Sequence, residues 1–196
     1  MSADRETIAV YDTRSHDYAE RRTGRAAEPG LAEFVATLPP GGHLLDIGCG
    51  PGDSAHRFLK QGFTVDAVDA SPAMISRARE LGVEARLGTF DDIDAEDLYD
   101  GIWVSYSLLH VPRAEVPGHL ARLARALKPG GRFHIGMKLG TGEKRDGLGR
   151  LYVYYTEDAL MDLLRAAGLT PTAWERQVDT GLDGTEYHGI WIHADG

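Results

Sequence analysis

Short apolar runs alternate with longer amphipathic stretches through the middle of the chain. This alternation is typical of β-α units on a parallel sheet. The predicted strands are 43–47, 63–69, 83–88, 99–107 and 132–138, and the predicted helices between them are 53–62, 72–81 and 115–131. Ser71 suits the N-cap of the second of these helices, Pro72 its first position and Gly82 its end. The pattern therefore predicts an open α/β core over residues 41–138.

The two ends of the chain follow other patterns. The elements predicted there are helices over 6–22, 30–38 and 156–169 and strands over 170–178 and 185–194. A short turn, "DTGLDG", separates the last two strands, so they are expected to form an antiparallel hairpin. Residues 1–196 are predicted to be one domain, in which 1–40 is a helical cap and 139–196 holds a loop, the last helix and the hairpin.

Composition and charge narrow the class of protein. The 196 residues are 42% hydrophobic and 26% charged, which is ordinary for a soluble globular domain. No apolar run approaches the roughly 18 residues that span a bilayer, and the charged N-terminal segment lacks the apolar stretch of a secretory signal. The single cysteine, Cys49, excludes an internal disulfide framework. These features predict a cytoplasmic protein with no membrane partner, and the net charge of −9 argues against nucleic acid as a partner.

The first predicted strand runs into three closely spaced glycines, in "HLLDIGCGPGDS" at 43–54. Glycine raises the entropy lost on folding, so this density indicates a ligand that must approach the backbone closely. Asp69 closes the second strand about 17 residues after Gly52, where open α/β folds place an acid that accepts hydrogen bonds from ribose. The pattern predicts a nucleoside site. The alternatives are a tight turn without a ligand and an N-cap role for Asp69.

The spacing of these glycines distinguishes two kinds of nucleoside. A dinucleotide fingerprint has G-x-G-x-x-G, whereas this chain has G-x-G-x-G preceded by Asp46 in the strand. It resembles the first motif of class I S-adenosylmethionine-dependent methyltransferases, and "VDAVDASPAMI", "YDGIWVSYSLLHVP" and "LKPGGRFHIGMK" extend the resemblance over most of the chain. The likeness is to a small bacterial branch acting on small molecules. It implies an α/β fold, a Rossmann-like doubly wound seven-stranded sheet with an antiparallel last strand, and S-adenosylmethionine as cofactor.

The resemblance also implies roles for residues near the cofactor. Asp46 would orient the glycine loop, and Gly48 and Gly50 would leave room for the methionine part. Asp69 would hold the ribose. Apart from the resemblance, strand alternation allows Ser105 and Ser107 to face the methyl group. The candidate cofactor residues are Tyr11, Asp46, Gly48, Cys49, Gly50, Asp69, Ala70, Ser71, Met74, Thr89, Phe90 and Ser105.

Two of these positions have alternative interpretations. Many relatives carry an aspartate at the adenine after the third strand, and here Thr89, Phe90 or Asp91 aligns with it. Tyr11 resembles a tyrosine that closes over the methionine carboxylate, and it is equally compatible with a packing aromatic on an amphipathic helix. Cys49 is interpreted as a small residue that fills the turn.

The methyl acceptor is expected beyond the fourth strand, around "SYSLLHVPR" at 105–113. The N-P-P-Y and D-P-P-Y motifs of adenine and amide N-methyltransferases are absent here, which argues against those substrates. His110 is the titratable group in this stretch with a pKa suited to a general base. The alternative is a structural hydrogen bond made by the imidazole.

The basic window "KLGTGEKRDGLGRLYVYY" at 138–155 joins the fifth strand to the last helix and is long enough to act as a lid. The candidate acceptor-binding residues in it are Lys138, Arg150, Tyr152 and Tyr154. The guanidinium fork of Arg150 suits a carboxylate or phosphate, so the acceptor is expected to carry an anion. The alternative is a solvated surface loop. The acidic run at 91–97 is expected to be solvated too, and no metal is predicted.

The expected function is methyl transfer from S-adenosylmethionine to a small-molecule acceptor, driven mainly by proximity and orientation. One alternative is a protein that binds S-adenosylmethionine or S-adenosylhomocysteine without catalysis. Another is a nicotinamide-dependent oxidoreductase, which would need a third glycine in the fingerprint and a tyrosine–lysine pair; neither is evident.

Overall fold

A computed structural model describes residues 4–22 and 28–196. Residues 1–3 and 23–27 of the predicted N-terminal cap lie outside the described residues. The helices are α1 (Arg5–Arg22), α2 (Leu31–Ala36), α3 (Asp53–Lys60), α4 (Pro72–Glu80), α5 (Val116–Ala126) and α6 (Glu157–Ala166). The strands are β1 (His43–Ile47), β2 (Thr64–Asp69), β3 (Ala85–Leu87), β4 (Tyr99–Ser105), β5 (Leu127–Lys138), β6 (Glu143–Arg145), β7 (Leu151–Val153), β8 (Thr170–Thr180) and β9 (Glu186–Asp195).

Seven strands form one sheet in the order β3-β2-β1-β4-β5-β9-β8. The first five are parallel, whereas β9 runs antiparallel to both β5 and β8. The predicted doubly wound sheet with an antiparallel last strand is therefore confirmed. The strand order reverses between β1 and β4, so the crevice at their carboxyl ends is the expected place for a ligand.

Local sequence signals account for several element boundaries. The Ser71 hydroxyl accepts a hydrogen bond from the Met74 amide at 3.1 Å and caps α4, whose first residue is Pro72. Thr156 caps α6 in the same way, by accepting from the Ala159 amide.

Other boundaries differ from the prediction. The helix expected to reach residue 131 ends at Ala126, and Leu127 opens β5 and pairs with Tyr99. Pro129 disfavours a helical backbone at the residue before it, so the chain leaves the helix early. The fourth strand ends at Ser105 rather than 107, because Tyr106 adopts a φ of 51° and turns the chain into a short 3₁₀ helix. The predicted lid loop contains the β6–β7 hairpin.

Helices cover both faces of the sheet. One face carries the large apolar core under α5 and α6. The other carries an aromatic cluster in which Phe34 of α2 and Phe58 of α3 pack on Trp103. His134 and His193 lie beside Trp103 in register across β4, β5 and β9, and the His134 and Trp103 rings stack with centroids 3.4 Å apart. None of the helices in the described part of the chain is long and apolar enough to cross a membrane.

These two buried histidines predict a loss of stability in mild acid. Burial lowers the pKa of His193 to about 4 and holds the pKa of His134 well below its ordinary value. Below about pH 6.5 the unfolded chain therefore takes up protons that the folded chain does not. We expect the free energy of unfolding, measured in urea, to fall by about 1.4 kcal/mol per pH unit for each histidine between pH 6.5 and 4.5. His134→Phe should remove the contribution of one histidine from this slope; an unchanged slope would contradict the assignment.

Candidate active site

A first cavity, here called the cofactor cavity, lies where the carboxyl ends of β1, β2 and β4 face α1. Residues from the glycine loop, the β2 end, α4 and the turn after β3 line it: Gly48, Gly50, Asp69, Ala70, Ser71, Met74, Thr89 and Phe90. Ile8, Tyr11 and Tyr18 of α1 close it from above. The sequence-predicted cofactor residues are thus mostly brought together at one place.

The glycine loop is shaped for close approach at Gly50. Its φ is +55°, and a Cβ atom added there would meet only the Tyr18 ring, at 3.8 Å. The Cβ position therefore faces the space between the loop and α1, which a ligand would occupy. Gly48 has a different role, because a Cβ there would lie 2.1 Å from Ser107 Cβ. Gly48 lets the loop pack against the start of the turn after β4.

Asp69 is held at the end of β2 by two backbone amides. Its Oδ2 accepts from Gly50 N and its Oδ1 accepts from Ser71 N, both at 2.8 Å. Burial raises the pKa of Asp69, while these two amide bonds lower it. A carboxylate has about four acceptor positions, so Asp69 keeps some acceptor capacity beyond its amide bonds. A carboxylate fixed in this way beside an open glycine fits the two hydroxyls of a ribose.

Three other predicted cofactor residues, Asp46, Cys49 and Ser71, have structural roles in or next to the glycine loop. Asp46 is buried in β1 and Cys49 is buried in the loop, and neither lines the cofactor cavity. The Cys49 amide donates to the Val68 carbonyl, and burial raises the pKa of its thiol, so it fits the turn-filling interpretation. The Ser71 hydroxyl is used by the α4 cap and donates to Asp12 of α1.

The turn after β3 brings two of the three aligned alternatives to the cavity. Phe90 is buried in its wall, and Thr89 lines it as well. The Thr89 hydroxyl also caps the turn, because it accepts from the Asp91 amide and pairs with the Asp92 carboxylate. An aromatic face at this position suits an adenine ring by stacking.

A second cavity of about 610 Å³, here called the acceptor cavity, lies beside the first. Its lining includes side chains of α3, β5, the β7 strand and the β8–β9 hairpin: Arg57, His134, Lys138, Arg150, Tyr152, Gln177, Asp179, Tyr187 and Trp191. Both cavities are lined by Tyr11, Tyr18, Ser105, Tyr106 and His110. These five shared residues mark the place where ligands of the two cavities would meet.

His110 is buried at this meeting point with both ring nitrogens engaged. Its Nδ1 lies 2.6 Å from the Leu151 carbonyl oxygen, which can only accept, so Nδ1 carries the proton. Its Nε2 therefore accepts from the Tyr11 hydroxyl, at 2.8 Å. Burial lowers the pKa of His110 to about 3. This geometry favours a structural role for His110 over a role as general base, because the lone pair of Nε2 already accepts the Tyr11 hydrogen bond.

Arg150 is engaged on the other side of Tyr11. Its guanidinium donates from Nε and Nη2 to Asp146 Oδ2, at 2.9 and 2.6 Å, and from Nη1 to the Tyr11 hydroxyl, at 3.1 Å. Both members of the Arg150–Asp146 pair are almost fully buried. Arg150 lines the acceptor cavity as expected, but its donors fix Tyr11 and the hairpin. Three of its five N–H donors are thus used within the protein, which disfavours the predicted bidentate binding of an acceptor anion.

Polar contacts join α1, and Asp4 just before it, to the β6–β7 hairpin and to the start of α4. Arg145 makes a two-armed bond to Asp4, each at 2.9 Å, and the Leu151 amide donates to the Thr7 hydroxyl. At the other side, Asp12 accepts from Ser71 and from the Ala73 amide. Sequence reasoning missed these partners, because each pair is joined across 59 or more residues. They make α1 a lid held by polar contacts.

Arg150→Ala is expected to weaken S-adenosylhomocysteine binding about tenfold, because α1 loses a contact that holds Tyr11 over the cofactor cavity. It should also destabilise the fold by about 3–5 kcal/mol, since Asp146 would stay buried without its partner. Isothermal titration and urea unfolding measure the two effects. Arg165→Ala, which removes an exposed ion pair with Asp162, is the matched control and should change neither. Wild-type cofactor affinity in Arg150→Ala would instead assign Arg150 to the acceptor alone.

The remaining acceptor candidates separate into two groups. Lys138 and Tyr152 line the acceptor cavity, with Lys138 Nζ 3.9 Å from the Tyr152 ring centroid. Tyr154 does not line it and instead lies near Lys144 on the hairpin. Sequence reasoning missed Tyr106 and Tyr187, whose rings pack edge to face in the wall. Across residues 4–22 and 28–196, no group of three or more histidine, cysteine, aspartate or glutamate side chains could hold a metal ion.

Comparison with known proteins finds a methyltransferase family model and similar methyltransferases. A family model described as "Methyltransferase domain" matches residues 44–131. The whole chain is similar to 1,6-didemethyltoxoflavin-N1-methyltransferase of Burkholderia thailandensis, whose crystal structure contains 1,6-didemethyltoxoflavin and S-adenosylhomocysteine. The two chains are 30% identical with a TM-score of 0.75, and the match covers 100% of this chain and 91% of that one.

Two curated relatives each match about half of the chain. The ubiquinone biosynthesis O-methyltransferase of Xylella fastidiosa is 32% identical over 120 residues, which are 56% of this chain and 48% of the relative. The 2-methyl-6-phytyl-1,4-hydroquinone methyltransferase of Synechocystis is 38% identical over 103 residues, which are 48% of this chain and 31% of the relative. The chain therefore spans half or less of the length of these two relatives. The strand order, the glycine loop and the full-length similarity together show that the chain belongs to the class I S-adenosylmethionine-dependent methyltransferases.

Proposed function

We propose that this protein transfers a methyl group from S-adenosylmethionine to a small, flat, ionisable acceptor bound in the acceptor cavity. The observation that carries the proposal is the sharing of Tyr11, Tyr18, Ser105, Tyr106 and His110 by the two cavities. Two ligands seated there would meet at one point, and holding reactants in contact can supply about 7–11 kcal/mol of the barrier.

The walls of the acceptor cavity support a flat acceptor. Tyr106, Tyr152, Tyr187 and Trp191 present aromatic surface to it. Aromatic rings pack favourably on other rings in stacked or edge-to-face contact. The names of the similar proteins agree with a small-molecule acceptor, because they refer to 1,6-didemethyltoxoflavin, to 2-methyl-6-phytyl-1,4-hydroquinone and to ubiquinone biosynthesis.

The chain's own residues have positioning roles in this reaction. When bound, S-adenosylmethionine supplies a methyl group already activated by a positively charged sulfur. Asp69 and the backbone at Gly50 would hold its ribose side, and Phe90 would face its adenine. Tyr11, fixed by His110 and Arg150, would close the meeting point and exclude water. The rate would come from alignment rather than from a strong protein base.

Mass spectrometry of reaction mixtures tests this function. The purified protein is incubated with methyl-labelled S-adenosylmethionine and a panel of phenols, hydroquinones and ring imides that includes 1,6-didemethyltoxoflavin. We expect a singly methylated product and an equal amount of S-adenosylhomocysteine. Tight S-adenosylhomocysteine binding without methylation of any panel member or of a metabolite extract would favour a non-catalytic binder. Binding of a nicotinamide cofactor in preference would favour an oxidoreductase.

A further inference from the structure

Lys138 lies in the wall of the acceptor cavity as a nearly buried ammonium group. Its side chain ends between two aromatic rings, with Nζ 3.9 Å from the Tyr152 centroid and 4.1 Å from the Tyr187 centroid. Only 8% of the residue is exposed. Within the described parts of the chain it forms no ion pair and no hydrogen bond through Nζ. A buried charge without a partner is costly, so the site is suited to an anion that enters the cavity.

The carboxylates near Lys138 compensate its charge without forming an ion pair with it. Arg150, the residue before β7, also lies near it, but its guanidinium is already paired with Asp146. Asp183, in the turn between β8 and β9, and Asp146 attract the ammonium, whereas Lys144 on β6 repels it. Burial, with Arg150, lowers the pKa of Lys138 to about 8. At neutral pH the group is still charged, and the faces of the two tyrosines favour that charged form.

Lys138 is also close to the point where the two cavities meet. The Tyr152 ring that contacts it lies with its centroid 4.6 Å from that of His110. The Tyr187 ring on its other side lies with its centroid 5.8 Å from that of Tyr106. His110 and Tyr106 both line both cavities. One aromatic ring on each side therefore separates the ammonium from the meeting point, and a flat acceptor can reach both.

We infer that Lys138 is the counter-ion of an acceptor that reacts as an anion, such as an ionised phenol, enol or ring imide. The inference rests on the proposed methyl transfer. The acceptor loses its proton to water as it binds, and Lys138 holds the resulting negative charge. An electron pair of the anion forms the bond to the methyl carbon, the carbon–sulfur bond breaks and its electron pair remains on sulfur. The methylated product is neutral at that atom, so its attraction to Lys138 is lost and release is favoured.

This role for Lys138 explains why the site can work without a protein base. His110 has its accepting nitrogen filled by Tyr11, and the Tyr11 oxygen already accepts from Arg150. A cation beside the acceptor makes the acceptor itself more acidic, because an opposite charge within a few ångströms favours the ionised form. Lys138 is thus a specificity-determining residue that selects acidic acceptors.

The test uses 4-nitrophenol, a flat phenol whose anion absorbs visible light, so no turnover is needed. Absorbance is measured against pH for the dye bound to protein saturated with S-adenosylhomocysteine. We expect the pKa of the bound dye to be about one pH unit higher in Lys138→Gln than in the wild type. Lys138→Arg should keep the wild-type value, because it keeps the charge. Lys144→Gln, which removes an exposed lysine of the neighbouring hairpin, is the matched control and should also keep it.

Two results would overturn the inference. One is a bound dye whose pKa in the wild type equals that of the free dye, and the other is a bound-dye pKa in Lys138→Gln equal to that in the wild type. Titration of each variant with S-adenosylhomocysteine measures its cofactor binding. The methylation assay then separates the test of Lys138 from the test of the proposed function. If an acceptor is methylated while the dye does not respond to Lys138, the methyltransferase stands and the counter-ion fails. If the dye responds while no acceptor is methylated, Lys138 is an anion-binding residue and the proposed function fails.

Discussion

Gly50→Val is expected to lower the affinity for S-adenosylhomocysteine by about a hundredfold or more, because its branched side chain would fill the space between the glycine loop and Tyr18. The Cβ position faces that space, with nothing nearer than the Tyr18 ring at 3.8 Å. The same change places a branched residue at a φ of +55°, which costs roughly 1–2 kcal/mol. Isothermal titration measures the affinity, and circular dichroism with thermal unfolding measures the fold.

Gly62→Val is the matched control for this experiment. Gly62 follows α3 with a φ of +89°, and a Cβ there would meet nothing within 4 Å. Valine at Gly62 therefore carries a similar backbone cost without entering a cavity. We expect both variants to lose a similar amount of stability, and only Gly50→Val to lose binding. Equal binding by the two variants would mean that the loop does not face the cofactor.

Asp69→Ala is expected to weaken S-adenosylhomocysteine binding by ten- to a hundredfold. Hydrogen bonds to a charged group contribute roughly 1.5–3 kcal/mol, and the variant loses the charged acceptor for the ribose. It also leaves the amides of Gly50 and Ser71 without the oxygens that hold them at 2.8 Å, so the loop itself becomes less ordered. Titration calorimetry reports the affinity of the variant.

Asp66→Ala provides the comparison on the same strand. Asp66 lies three residues earlier in β2, accepts from the Tyr99 hydroxyl and lines neither cavity. Its removal should leave S-adenosylhomocysteine affinity within a few-fold of wild type. If Asp69→Ala binds as tightly as Asp66→Ala, the carboxylate at the end of β2 only shapes the loop and does not hold the ribose.

The N-terminal helix shows why part of the site was not accessible from the sequence. The sequence indicates Tyr11 as a candidate, but it leaves open whether the ring closes the site or only packs in the helix. The structure places its hydroxyl between His110 and Arg150, residues 99 and 139 positions away. Nothing in the local pattern of α1 encodes those partners. Asp146, which neutralises Arg150, likewise gave no signal in a basic, glycine-rich window.

The acceptor cavity also contains residues that the local sequence pattern does not reveal, here from the C-terminal part of the chain. Lys138 and Tyr152 were predicted for it, whereas Tyr187 and Gln177 come from the C-terminal hairpin, which showed only strand periodicity. They reach the cavity because β9 pairs with β5 and brings β8 with it. Arg150 was expected to grip the acceptor, yet its partner Asp146 lies four residues away and turns the guanidinium inward.

The sequence by itself determined the order of the helices and of the seven strands in the main sheet, the glycine loop and the acid at the end of the second strand. Periodicity, caps and turn residues act over a few neighbouring positions, so they can be read from the chain directly. Only the tertiary structure decided that Arg150 forms an ion pair with Asp146 whereas Lys138 forms none. It also decided that His110 accepts a hydrogen bond from Tyr11 rather than a proton from the acceptor, and that the two cavities share five lining residues. Those properties depend on burial and on contacts between segments far apart in the chain, which no local pattern records.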